Sequence, residues 1–471
     1  APRFDGRVRR LGLGQGSIVM GSGGSAYGGT EETTRLTGGA STGNDGGTTV
    51  VSTDKSGAHR DAHLDNCKFW LMCAVVMNHC FQDFFKVLDP DSGRGWCGRD
   101  SYSTRAFGYR VDLLRLGRGF YLYLNLLGMP AFICVSGFCS KGWRRDVSLG
   151  DGVSLSKRYR GLVESLIVPW LIWQPFYVLY NYRTYPVQLW SPIGVTWYLT
   201  ALFFWRSSIS ILAQIKTGIL LPLLFLCAIA VGFTETPDTS NGLAFLDFQR
   251  GIAFLPVFYV GACAISGETY ARMKSGGAVK RIGWVVTIGA VAVFTAMIDG
   301  AHTTDSSADG TSEDEINNIH VYCFDEIQRY LWMQGPYVDD GEGGTPDTPS
   351  GAPLEHAMYR VIFFVFAFLC MGGFAAVVPT DQKWYTAYGS RTMYAYLLHL
   401  VVIRGVLLIQ DIAVPENLQP PIWGRAIIGL VLLPLLGTVG LMSPTCKRLC
   451  HWVVEPKVLG KIGFWEKEAI L

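Results

Sequence analysis

The sequence LDNCKFWLMCAVVMNHC, residues 64–80, indicates what kind of protein this chain is. It is an apolar run that can enter a lipid bilayer, whose hydrocarbon core a helix of about 20 residues crosses. Asp65 and Lys68 lie near its start and His79 near its far end. On a helix, Lys68 and His79 lie roughly 16 Å apart, about three turns, and therefore share one face. A histidine at membrane depth costs free energy unless it faces other helices or a water-filled cavity, which makes His79 a candidate functional residue.

The composition of the whole chain also indicates a membrane protein. Of its 471 residues, 49% are hydrophobic and 17% are charged, whereas about a quarter of the residues of a soluble domain are charged. The basic residues cluster at the ends of the apolar blocks, where membrane topology alone explains them. We therefore expect membrane lipid as a partner and no nucleic acid.

Apolar blocks recur about ten times after residue 60, each near the length that a bilayer core requires. The predicted fold is an all-α polytopic bundle of about ten transmembrane helices. The predicted spans are 66–86, 119–140, 161–181, 194–214, 217–234, 251–267, 282–299, 359–379, 391–410 and 424–443.

Two long segments and one cysteine pair fall outside these blocks. Residues 1–60 are rich in Gly, Ser and Thr and predict a disordered tail. Residues 300–358 predict a long acidic outer loop, either a lid or a solvated linker. Cys97 and Cys323 lie in polar loops on the same predicted side, and we expect a disulfide between them. No Cys-x-x-Cys pair occurs in the sequence, so no metal site is expected.

The distribution of Lys and Arg predicts the orientation. The connectors 141–161 and 271–283 and the tail 446–471 are basic, so the positive-inside rule places them in the cytoplasm together with the N-terminus. The loop 87–118 carries several arginines against this pattern. We expect a multi-pass protein of the plasma membrane or a Golgi-type endomembrane, with both termini cytoplasmic.

Six stretches, in chain order, carry a resemblance to a known family. They are LDNCKFWLMCAVVMNH (64–79), PAFICVSGFCSKG (130–142), LIVPWLIW (166–173), GVTWYLTALFFWR (194–206), FQRGIAFLPVFYVGACAI (248–265) and YAYLLHLVVI (394–403). The first has a basic residue, then ten residues, then a histidine. Together they resemble the membrane-bound acyltransferase 3 family, in particular its fucose 4-O-acetylase-like branch, over about residues 61–445.

The resemblance implies an enzyme, an O-acyltransferase. Such enzymes move an acyl group, usually acetyl, from cytoplasmic acyl-CoA to a hydroxyl of a carbohydrate or glycolipid acceptor. Acyl-CoA would then be a co-substrate, and no permanently bound cofactor is expected. Three positions depart from the family. Lys68 stands where relatives often have Arg, Ser165 stands where an Arg commonly precedes the third-helix proline, and Thr200 stands where other branches carry Glu.

His79 is the candidate general base, because an imidazole titrates near neutral pH and can accept the proton of an attacking hydroxyl. The alternative is a structural hydrogen bond between helices. Asn78 points to another face, so the sequence names no partner that would set the tautomer of His79. Lys68, Arg158 and Arg160 are candidates for binding the phosphates of acyl-CoA. The alternative for these cations is a topological role at the lipid headgroups.

Four further residues are candidates for acceptor binding or for structural roles. Trp197 could stack on a sugar or belong to an interfacial aromatic belt. Arg250 could hold the acceptor or extend towards the headgroups. His399 could bind the acceptor, relay protons or support the structure. Asp65 accompanies Lys68 near the start of the first helix.

Two other functions use the same histidines. A proton-coupled transporter would use His79, His399 and Lys68 along a substrate path. A haem-binding electron carrier would use His79 and His399 as paired axial ligands.

Overall fold

The computed structural model describes residues 61–88, 104–106, 109–111, 113–150, 152–180, 189–234, 245–274, 276–303, 333, 353–413 and 428–456. The predicted tail 1–60 and most of the predicted loop 300–358 lie outside these residues. So do Cys97 and Cys323, whose predicted disulfide therefore stays a prediction.

Fourteen α-helices are present in the described residues. They are α1 Ala62–Leu88, α2 Leu113–Cys139, α3 Lys141–Leu149, α4 Gly152–Leu162, α5 Val168–Tyr180, α6 Thr196–Leu212, α7 Thr217–Ala230, α8 Phe248–Tyr259, α9 Gly267–Lys274, α10 Gly277–Thr303, α11 Pro353–Val377, α12 Thr392–Ala413, α13 Thr438–Leu441 and α14 Pro444–Val454. Three π-helical stretches, Val163–Ile167, Val260–Ala264 and Ile428–Gly437, adjoin α5, α8 and α13. One short antiparallel hairpin, β1 Thr104–Ala106 with β2 Tyr109–Val111, accompanies these helices, and the described residues are otherwise helical, as the predicted all-α fold requires.

Each predicted span contains helical structure in the residues that the structure describes, the tenth from Ile428 onward. By length and apolar composition, however, only four described helices qualify as membrane spans: Gly119–Leu149, Gly152–Tyr180, Gly277–Ala296 and His356–Val377. The number rises to six if two bent helix pairs each count as one span. The chain is thus a helical membrane protein, and the count of ten stays a prediction.

The predicted connector 141–161 differs from a simple loop. It forms α3 and α4, and α3 continues from α2 through a turn at Ser140. Gly150 ends α3 with φ 67°, a left-handed conformation that glycine adopts without a steric penalty. The basic residues of this connector therefore lie on ordered helices.

Helix α1 contributes a continuous buried stretch to the bundle. It packs against α2, α12 and the π-helical stretch 428–437, and residues 71–76 are buried without interruption. This stretch of α1 is apolar on all sides and belongs to the protein core. The polar residues that α1 carries must therefore find partners on neighbouring helices.

The beginning of α1 is joined to the loop between α11 and α12, an end of the bundle that we call the proximal end. Asn66 Nδ2 donates hydrogen bonds to the carbonyls of Pro379 and Asp381, both at 2.9 Å. Thr386 Oγ1 donates to Asn66 Oδ1 at 2.6 Å. A Cβ at Gly389 would lie 2.1 Å from the Asp65 carbonyl oxygen, so only glycine fits there. The opposite end, where α6 and α8 begin, is the distal end.

Nearby in the same proximal loop, Lys383 and Asp381 form an exposed ion pair at 2.6 Å. The hydrogen bond from the Lys383 ammonium lowers the pKa of the Asp381 carboxyl.

Candidate active site

Two histidines from different helices meet inside the bundle. The rings of His79 on α1 and His399 on α12 have centroids 4.9 Å apart, with an angle of 40° between their planes. His399 is fully buried, whereas His79 is partly exposed. Because His79 contacts another helix, its imidazole faces the protein interior. Of the two histidines, His79 is therefore the one with accessible surface.

The hydrogen bonds of His399 define its tautomer. Its Nδ1 lies 3.0 Å from the Ala395 carbonyl oxygen and 2.8 Å from the Tyr396 carbonyl oxygen. A carbonyl only accepts hydrogen bonds, so Nδ1 carries the hydrogen and Nε2 carries a lone pair. Nε2 is buried and has no hydrogen-bond partner in the part of the chain that the structure describes.

Hydroxyl-bearing aromatic residues adjoin the histidines. The ring of Tyr396 lies 6.2 Å from that of His399 and 5.3 Å from that of Tyr198, measured between centroids. Tyr198 Oη and Ser136 Oγ share a hydrogen bond of 2.6 Å. Tyr396 Oη donates to the Val195 carbonyl at 2.5 Å. The wall next to the histidine pair is therefore aromatic, with its hydroxyls already engaged.

A row of hydrogen-bonded polar residues runs from Ser136 towards the proximal end along α2 and α6. We call Ser136, Ser140 and Arg206 the polar seam. Ser140 Oγ donates to the Ser136 carbonyl at 2.7 Å, and Arg206 Nε donates to Ser140 Oγ at 3.1 Å. Sequence reasoning missed Arg206, although the signal was present. Arg206 lies about two turns after Tyr198 in an apolar helix, and an arginine inside such a block is itself a candidate functional residue.

Two of the predicted phosphate-binding cations have carboxylate partners. Lys68 Nζ lies 3.4 Å from Asp65 Oδ1. Arg158 Nε lies 2.5 Å from Asp146 Oδ2, and Asp146 is buried. Asp65 and Asp146 thus hold the cations at the proximal end. Arg160 is partly exposed on α4, close in sequence to Arg158.

Trp197 and Arg250 come together at the distal end. The guanidinium carbon of Arg250 lies 4.7 Å from the centroid of the Trp197 ring. Arg250 Nη1 also lies 2.9 Å from Asp247 Oδ2 in a buried ion pair. Trp197 is next to Tyr198 in sequence, so this cluster adjoins the aromatic wall.

The backbone before α8 is strained. Leu246 and Asp247 have φ values of 52° and 49°, in the left-handed region that residues with a side chain seldom adopt. Asp247 precedes α8 without capping it by a side-chain hydrogen bond. The Oε1 atom of Gln249 is buried without a hydrogen-bond partner among the described residues. Sequence reasoning did not find Asp247 or Gln249, because neither stands out in its stretch.

The described residues contain no group of three or more His, Cys, Asp and Glu side chains that could hold a metal ion. The two histidines also do not fit a haem. Paired axial ligands bind opposite faces of the macrocycle, whereas the rings of His79 and His399 contact each other directly.

Comparison with known proteins gives one match. The acyltransferase 3 family model, described as an acyltransferase domain, matches residues 61–439. No curated protein and no solved structure matches the chain. The matched range contains both histidines and all six stretches quoted above. It does not identify a branch of the family, so the fucose 4-O-acetylase-like branch stays a prediction.

Proposed function

Because this chain belongs to the acyltransferase 3 family, we propose that it is an integral-membrane O-acyltransferase that acetylates a carbohydrate or glycolipid hydroxyl with acetyl-CoA. The observation that carries the proposal is the contact between His79 and His399 inside the bundle. A partly exposed imidazole beside a buried one is an arrangement that suits a general base.

The proposed reaction uses His79 as the base. One ring nitrogen takes the proton of the acceptor hydroxyl as its oxygen attacks the thioester carbonyl carbon. The new C–O bond forms, the C–S bond breaks, and the CoA thiolate leaves. The proton on His79 then passes to the thiolate, so that the products are an ester and free CoA.

Acyl-CoA would enter from the proximal end, which the positive-inside rule assigns to the cytoplasm. Lys68, Arg158 and Arg160 are the proposed phosphate contacts, and we add Arg206. The ion pair of Arg158 with Asp146 leaves only its other guanidinium N–H groups for a phosphate. We favour Arg206 as a phosphate contact because hydrogen bonds through Ser140 and Ser136 connect it to the aromatic residues beside the histidine pair.

The acceptor would bind towards the distal end, where Trp197 and Arg250 form one cluster. An indole face is suited to stacking on a sugar ring, and a guanidinium donates hydrogen bonds to hydroxyls. We assign Asp65 a supporting role at Lys68 rather than acceptor contact, since it lies at the proximal end. The proposed location is the plasma membrane or a Golgi-type endomembrane, with both termini cytoplasmic.

Label transfer in proteoliposomes tests this function. Purified protein is incubated with radiolabelled acetyl-CoA and methyl glycosides of fucose, glucose and N-acetylglucosamine. Loss of a general base typically lowers the rate 10²–10⁴-fold, so we expect His79→Ala to lower label transfer by about that factor. Met77→Leu on the same helix is the matched control and should retain activity. Undiminished transfer in His79→Ala would remove His79 as the base.

A proton-coupled transporter is the second candidate, because two imidazoles in contact inside a bundle also suit a proton path. The same vesicles separate the two functions. Uptake of an unmodified glycoside driven by a pH gradient, without ester formation, would favour the transporter.

A further inference from the structure

We infer that His399 is the positioning residue of His79: its buried Nε2 accepts a hydrogen bond from one ring nitrogen of His79 and thereby leaves the other ring nitrogen as the base. The inference rests on the proposed function, because it assigns a partner to the base named there. It adds what the sequence could not supply, the group that sets the tautomer of His79.

The first step concerns the acceptor atom. His399 Nδ1 donates to the carbonyls of Ala395 and Tyr396, which lie on its own helix. These two bonds orient the ring and assign the hydrogen to Nδ1, so Nε2 can only accept. Because Nδ1 points at the backbone of α12, Nε2 lies on the side of the ring turned away from that backbone.

The second step concerns the cost of leaving that atom unsatisfied. His399 is fully buried, and within the described residues its Nε2 has no hydrogen-bond partner. A buried acceptor without a partner is destabilising, because it has lost its hydrogen bonds to water without replacement. Such atoms are rare in folded proteins and call for an explanation. We assign His79 as the donor that satisfies this atom, through a hydrogen bond that also fixes the tautomer of the base.

The third step concerns distance. The two ring centroids are 4.9 Å apart, which allows a nitrogen of one ring to approach a nitrogen of the other by a small ring rotation. Catalytic hydrogen bonds are often long or misaligned without substrate and tighten in the substrate complex. The packing of α1 against α12 thus already holds the two rings close enough for the proposed hydrogen bond.

The fourth step assigns the two roles. His79 is partly exposed and can reach a substrate hydroxyl, whereas His399 is enclosed. When His79 takes the substrate proton, its two N–H groups point at the substrate side and at His399. The neutral His399 accepts the second N–H and stabilises the imidazolium without itself taking a proton. His399 therefore acts through His79 and touches no substrate.

Three variants test the inference, with acetyl-CoA and methyl fucoside as probes and free CoA thiol as the readout. His399→Phe keeps a buried ring but removes the acceptor, while His399→Gln keeps an acceptor oxygen at a similar reach. Groups that orient metal-bound histidines typically contribute 10–100-fold, and we take the same order for a group that orients a catalytic histidine. We expect His399→Phe to lower kcat by about that factor with KM for both probes unchanged, and His399→Gln to recover most of it. The matched control Leu400→Met, buried on the same helix, should leave kcat unchanged.

The double variant His79→Ala/His399→Phe separates this inference from the proposed function. If His399 acts only through His79, the double variant is no slower than His79→Ala alone. Loss of activity in His79→Ala with an unchanged kcat in His399→Phe would overturn the inference and leave the proposed function standing. Equal losses in His399→Phe and His399→Gln would indicate a structural role and would also overturn it. Full activity in His79→Ala would end both.

A measurement without turnover covers variants that fold poorly or lack a suitable acceptor. The protein has 8 histidines, and selective ¹⁵N labelling in nanodiscs reports which nitrogen of each carries hydrogen. The His79 signals are assigned by their loss in His79→Ala. We expect a single His79 tautomer in the wild type and in His399→Gln, and a mixture in His399→Phe. The same tautomer distribution in all three proteins would contradict the inference.

Discussion

At the residue scale, two described asparagines of α1 are paired with neighbouring segments of the chain. Asn78 and Asn125 exchange two amide hydrogen bonds, of 3.3 and 2.8 Å, between α1 and α2. Asn66 Nδ2 donates two hydrogen bonds to backbone carbonyls of the proximal loop. The sequence places these residues in an apolar block, where a polar group without a partner is costly. Partners were therefore to be expected, but only the fold shows which residues they are.

The Asn78–Asn125 pair makes a testable contribution to stability. Asn125→Leu removes both bonds and leaves the Asn78 amide without this partner in the bundle interior. Hydrogen bonds between membrane helices contribute about 0.6–2 kcal/mol, so we expect Asn125→Leu to destabilise the protein by about that amount. The decrease in Tm is measured by heating the protein in detergent and quantifying the remaining folded fraction by size-exclusion chromatography. Asn78→Leu/Asn125→Leu should lose less than the sum of the single variants, and strict additivity would show that the pair does not interact.

At the element scale, two features of the helices depend on single residues. Pro169 cannot donate a backbone hydrogen bond to the carbonyl four residues earlier, and the helix becomes π-helical over Val163–Ile167, just before it. At the crossing of α2 with α8 and its π-helical continuation, a Cβ at Gly137 would lie 1.9 Å from the Phe258 carbonyl oxygen. A Cβ at Gly261 would lie 2.0 Å from the Cys134 carbonyl oxygen. Small residues on both sides thus let the two backbones touch.

Substitution of Gly137 tests this crossing. Gly137→Val places two methyl groups where the Phe258 carbonyl lies, and the clash is with backbone that cannot rotate away. Overpacking of this kind costs about 1–3 kcal/mol or more, and we expect a clear decrease in Tm and in the yield of folded protein. Gly289→Val is the matched control, because nothing lies within 4 Å of a Cβ there. A Tm for Gly137→Val equal to that of the control would refute the close crossing.

At the scale of the whole molecule, the apolar helices and the family indicate an integral membrane protein. The bundle has a proximal end, with the basic helices α3, α4 and α9, and a distal end with the Trp197–Arg250 cluster. The histidine pair lies between them, about three turns along α1 from Lys68. A donor from one side and an acceptor from the other could therefore meet at His79.

Orientation is testable with single cysteines at exposed positions of the two ends. Lys383 lies in the proximal loop, and Trp190 lies just before α6 at the distal end; both are exposed. In intact cells, a membrane-impermeant maleimide should label Trp190→Cys and leave Lys383→Cys unlabelled until the membrane is permeabilised. The unsubstituted protein reports the background from native cysteines. The reverse pattern would mean that acyl-CoA cannot reach the proximal end from the cytoplasm.

The sequence alone predicted the helical membrane class and indicated His79 as a candidate functional residue. It could do so because apolar block length, basic flanks and an ionisable residue at membrane depth are local properties of the chain. The resemblance of six ordered stretches also predicted the family that the match over residues 61–439 confirms.

Only the tertiary structure brought His399, far away in the chain, to His79, paired Arg158 with Asp146, and connected Arg206 to the site through Ser140. Periodicity shows that a residue faces inward, but it does not show which helix it meets, because helix neighbours and rotations are decided by packing between distant segments. The partner of a buried imidazole is therefore a property of the fold.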